Sequence, residues 1–123
     1  TIFKFREIFF IAIFKTLFSH LFRGTLFGYP FLVGFVGTLF FTFFLFPFYK
    51  IFKDKISFVG LNVVGAFLHN LGQIVCSFIF LPYKVVLLFG IILLIVGTIT
   101  GVINGLISNK IYNKVFVRVF YDR

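Results

Sequence analysis

Four nearly uninterrupted apolar runs, at about 7–22, 30–49, 58–81 and 85–107, divide the chain, with only short charged or turn-forming joints between them. Each run is close to the ~20 residues with which an α-helix crosses ~30 Å of hydrocarbon. The joints RGTLFGYP (23–30), KIFKDK (50–55) and LPYK (81–84) are too short to form a domain of their own. No set of ten-residue segments with strict polar–apolar alternation, the mark of a membrane barrel, occurs in the sequence. The pattern predicts an all-α, polytopic membrane helix bundle with about four transmembrane helices. A single transmembrane domain covers 1–112, and the basic stretch 113–123 follows as a cytoplasmic tail.

Composition enters as a check on the solvent. Of 123 residues 61% are hydrophobic, 24 are Phe and 12% are charged, and the mean hydropathy is +1.15. A soluble domain of this size leaves much of its surface in water and cannot hide so much apolar area. Most of the Phe rings are therefore expected to face lipid. The net charge of +9 would suggest nucleic acid in a soluble chain. In a membrane protein the same excess belongs on cytoplasmic joints against anionic lipid, so no nucleic-acid partner is expected.

Orientation follows from where the cations fall. Lys4 and Arg6 precede the first run, Lys50, Lys53 and Lys55 join the second to the third, and Lys110, Lys114, Arg118 and Arg123 follow the fourth. The other two joints carry only Arg23 and Lys84. Four spans with both termini cytoplasmic satisfy the positive-inside rule. Cys76 is the single cysteine, which excludes an intramolecular disulfide and a thiolate zinc cluster. No secretory signal pattern is present, and because the chain begins at Thr1 rather than Met, it is expected to be a piece of a longer protein.

The third run holds an unusual density of polar side chains. On a helix turning ~100° per residue, Asn62, Gly65, Ala66, His69, Asn70, Gly72, Gln73, Cys76 and Ser77 share an arc of roughly 160°. Val63, Val64, Phe67, Leu68, Leu71, Ile74, Val75 and Phe78 take the opposite side. Small residues permit close helix approach, and amides bond across helix interfaces, so Gly65 and Gly72 are assigned to packing. His69, Asn70 and Gln73, three strongly polar groups near one level of the bilayer, are assigned to ligand binding, because such groups are expensive there and mark sites. The fourth run repeats the theme with Gly97, Gly101 and Gly105 at i, i+4, i+8, a close-packing ladder, beside Asn104, which joins the candidate ligand residues. In the first run Lys15 lies seven or eight residues, about 11 Å, from either end, a long reach for a snorkelling side chain. A protein-lined cavity selecting an anionic ligand is the expectation for it.

At these residues the chain resembles a known family. GAFLHNLGQI (65–74) is similar to the Ala-His-Asn-hydrophobic-Gly-Gln segment of bacterial membrane proteins called heptaprenyl diphosphate synthase component I, or the Gx transporter family. That family is related to the substrate-binding S components of energy-coupling-factor transporters. RGTLFGYPFLVGFVG (23–37) is similar to its Gly-Thr-Leu, Phe-Leu and Gly-rich run, and VGTITGVINGLISNKI (96–111) to its glycine-rich last helix. The resemblance covers about residues 5–112, and the His-Asn-x-Gly-Gln element is its most specific part. It implies a six-helix S-component-like fold of which four helices are present, the chain being N-terminally truncated, and a bacterial inner-membrane location. The earlier pair of spans, with its Gly-Leu-Ala-Asn-like segment and the docking motif for the coupling subunit, has no counterpart here. Where family members often carry Arg in the first of these helices, this chain has Lys15, which cannot bind an anion bidentately.

The function expected from these features is a substrate-binding membrane subunit of an energy-coupling-factor-like transporter, for a small or prenyl-related anionic compound. Its partners would be membrane lipid, a coupling subunit and ATPases supplied in trans, since no G-x-x-x-x-G-K-[ST] loop occurs. The alternatives are a non-catalytic membrane component of heptaprenyl diphosphate synthesis and a truncated, non-functional remnant. A prenyltransferase ionises its allylic diphosphate with Mg²⁺ held by carboxylates. Glu7, Asp54 and Asp122 are scattered and form no aspartate-rich motif, so no catalytic residues, metal or cofactor are expected. His20 and His69 fall on different helices without acidic or thiolate company, and Cys76 and Ser77 lack a His-plus-acid arrangement.

Overall fold

The computed structural model describes residues 5–53 and 55–121. Lys4, Asp54, Asp122 and Arg123, which entered the charge argument, lie outside the described residues. Four helices account for nearly all of the rest: α1 (Phe5–Arg23), α2 (Tyr29–Phe52), α3 (Phe58–Phe80) and α4 (Tyr83–Tyr121), with no strand among the described residues. α2, α3 and α4 as far as Phe116 are each long and apolar enough to cross a membrane. α1 is shorter, at 19 residues, and with Arg6, Glu7, Lys15 and Arg23 it has the highest density of charged side chains of the four.

Local chemistry sets the boundaries. α1 ends at Gly24, whose φ of 67° is the left-handed conformation that glycine adopts without a Cβ penalty. The Gly24 N–H bonds the Leu21 carbonyl at 3.2 Å and the Thr25 N–H bonds the His20 carbonyl at 3.0 Å, a Schellman pair that satisfies the last turn. Pro30, in the first turn of α2, has no N–H to leave orphaned. Ser57 caps α3 by accepting from the Gly60 N–H at 3.1 Å. The Leu81 N–H closes α3 on the Ser77 carbonyl, and Pro82 then prevents continuation. Beyond Gly105 no glycine or proline interrupts the chain, so α4 runs unbroken through the expected end of the fourth span at 107 and into the basic stretch, to Tyr121. At 39 residues it is about 58 Å long, well beyond the hydrocarbon thickness.

The helices pack as a row, α1 on α2, α2 on α3 and α3 on α4, and among the described residues no other pair brings its backbones within 8 Å, Cα to Cα. Antiparallel neighbours bring Arg6, the Lys50, Lys53 and Lys55 joint, and Lys110, Lys114 and Arg118 to one end. The interior is small and polar while the exterior is apolar. Thr16, Thr38, Thr42 and Asn70 are buried; Leu88, Phe89, Ile91, Ile95 and Ile99 are exposed. In water this arrangement would be unstable, whereas in lipid the apolar side chains meet their own kind and close backbone approach drives association. α3 and α4 show how close. A Cβ on Gly105 would lie 2.5 Å from the Val59 Cα, one on Gly101 2.9 Å from the Val63 Cα, and one on Gly97 would collide with the Asn70 amide. α1 and α2 meet through hydroxyls, Thr16 Oγ1 and Thr38 Oγ1 being 2.9 Å apart.

Candidate functional site

α3 is the hub of the candidate site because its polar arc is divided between two neighbours. Toward α2, Gly65 receives the Phe41 ring and Gly72 lies against Phe40 and the Gly37 backbone. Gly37 in turn is covered by His69 and Gln73: a Cβ there would come within 2.8 Å of both the Gln73 Cγ and the His69 carbonyl oxygen. His69 Nε2 and Gln73 Nε2 are 3.2 Å apart, one turn from each other on the same face. Toward α4, the Asn70 Nδ2 donates to the Leu93 carbonyl at 2.8 Å, so this amide bridges two helices.

Between these two contacts a cavity of about 400 Å³ opens, a volume within the ~300–1,000 Å³ range of small-molecule sites. Tyr29 and Val33 of α2 form one wall, and Val85, Val86, Phe89, Gly90 and Leu93 of α4 form the other. Gln73, Ile74 and Ser77 of α3 and the following Leu81 lie between them. Tyr29 donates from its hydroxyl to the Ser77 Oγ at 2.9 Å and sets its ring edge-on to Phe80 at 5.6 Å, tying the start of α2 to the end of α3.

The residues singled out in the sequence are thus not all in one place. Gln73 lines the cavity and His69 adjoins it through the Gln73 amide. Asn70 is buried at the α3–α4 seam, bonded to Leu93, a lining residue. Lys15 is exposed on α1, which packs only on α2, and does not line the cavity, although it lies within electrostatic reach of the His69 ring. Asn104 is exposed, eleven residues or about 16 Å along α4 from Leu93. Gly65, Gly72, Gly97, Gly101 and Gly105 are all buried at helix contacts. Two polar lining residues, Ser77 and Tyr29, were not among the sequence candidates. Ser77 could have been found from its i, i+4 relation to Gln73; Tyr29, in a joint, gave no signal.

Lipid-facing exterior, polar seams and a ligand-sized chamber near one end define a helical membrane protein of the multi-pass kind. The heptaprenyl diphosphate synthase component I family matches residues 1–111, and the chain belongs to that family. Comparison with curated proteins gives no match, and comparison with solved structures gives none.

Proposed function

We propose that the chain is a substrate-capturing membrane subunit, which holds a small or prenyl-bearing molecule in the α2–α3–α4 cavity and relies on coupling and ATP-hydrolysing partners supplied in trans. The observation that carries this reading is the cavity itself, walled by aliphatic and aromatic side chains and provided with a few convergent polar groups, Gln73, Ser77 and Tyr29. Its position supports capture as well. Tyr29, Leu81 and Val85 lie at the end with the sparsely charged joints, which the positive-inside rule assigns to the outside.

A filled cavity tests it. Purified protein in lipid nanodiscs should gain thermal stability with farnesyl or geranylgeranyl compounds, by about 2.7 kcal/mol when the free ligand is at a hundred times its Kd. Val86→Trp, which places an indole in the chamber, should remove that gain. Equal stabilisation of both proteins would put the ligand elsewhere and sink the reading.

The family's name supports a second reading, a non-catalytic membrane component associated with heptaprenyl diphosphate synthesis. Glu7, the only carboxylate side chain among the described residues, lies at the end of α1 remote from the cavity. Prenyl transfer would therefore need the acidic metal site of another component.

A further inference from the structure

The polar groups of the cavity specify the kind of molecule it takes. No Lys, Arg, His, Asp or Glu is among the residues that line it, and Lys84, next to the lining residue Val85, is exposed. Tyr29 and Ser77 are joined to each other. Gln73 has one end of its amide against His69 Nε2 and no hydrogen bond at the other. It sits eight residues, about 12 Å, before Leu81 along α3, opposite Leu93, which lies equally far along α4 from Val85. The polar lining group farthest from the 81–85 end is therefore an amide with spare capacity to donate or accept, in a largely apolar cavity.

We infer that the cavity takes an uncharged molecule, an apolar body bearing one hydroxyl or carbonyl group that bonds the Gln73 amide. A ligand hydroxyl can either donate to the amide oxygen or accept from the amide N–H, so the match holds whichever end of Gln73 faces His69. An anionic head in the same place would surrender its hydration and find no counter-charge on the walls. Lys15, the feature that suggested an anion, is exposed on α1 and is not among the residues that line the cavity. The inference rests on the capture reading and refines it, since that reading leaves the head group open.

Three probes with one carbon skeleton separate the possibilities: farnesol, farnesyl diphosphate, and farnesane, which has the skeleton without oxygen. Binding to the full chain in nanodiscs is measured by competition and by thermal shift. Farnesol should bind about tenfold more tightly than farnesane, the worth of one buried hydrogen bond, and more tightly than farnesyl diphosphate. In Gln73→Leu, farnesol should fall to the level of farnesane while farnesane binding is kept, which also reports that the variant is folded. Diphosphate binding as tight as that of the alcohol, or an undiminished preference for farnesol in Gln73→Leu, overturns the inference and leaves the capture reading intact. If none of the three probes binds, the capture reading fails and the inference fails with it.

Discussion

Asn70 and Gln73 are one helical turn apart and differ in what they do for the fold. The Asn70 amide is buried and donates to the Leu93 carbonyl, so its removal is expected to cost a helix–helix bond and nothing at a ligand. Asn70→Leu is expected to lower stability by about 0.6 kcal/mol, the average for interhelical bonds in lipid, with ~1.7 kcal/mol as an upper bound. Unfolding in mixed micelles with and without farnesol checks this, and the decrement should be the same in both. A larger loss with ligand present would assign Asn70 to the binding site after all. The contrast explains how much of the site was legible. A helical projection shows that His69, Asn70, Gln73 and Ser77 share an arc, because periodicity is a property of one helix. Which of them face a chamber depends on where α2 and α4 sit around α3, and that is fixed by Gly37, Gly97 and the Tyr29–Ser77 bond, none of which a single-helix projection contains.

α4 carries its packing face on glycines, and the atoms they meet rank the consequences of filling each one. At Gly105 and Gly101 an added methyl would press on α3 backbone, the Cα atoms of Val59 and Val63, which cannot turn aside. At Gly90 it would meet the end of the Ile74 side chain at 3.2 Å, which can rotate away. Gly105→Ala and Gly101→Ala should therefore each destabilise by about 1–3 kcal/mol, and Gly90→Ala by much less. Denaturation midpoints in a single detergent would show the order, and a Gly90 variant as damaged as the other two would refute it. The first three helices ended within a few residues of their hydropathic limits because capping chemistry and charge coincide there. The end of α4 was not legible in the same way. Lys114 and Arg118 read as a tail, yet a mixed polar segment without a helix breaker simply prolongs the helix that precedes it.

Across the whole molecule most of the described cations collect at one end of an antiparallel row, and the orientation expected from this is testable. In a Cys76→Ser background, Tyr83→Cys should react with an impermeant thiol reagent added to intact cells, and Lys53→Cys should react only after the membrane is opened; both positions are exposed. Labelling of Lys53→Cys from outside would reverse the assignment. The row has a further consequence, for assembly in time. Among the described residues every close backbone pairing of helices joins neighbours in the sequence, so no helix has to wait for a distant partner still to be synthesised. At roughly 5–20 residues per second, each helix can settle on its predecessor within seconds of leaving the ribosome. Once Phe80 has emerged, the α1–α2 and α2–α3 seams can already be complete. α4 then arrives as the second wall, and the cavity comes into being only with that last docking step.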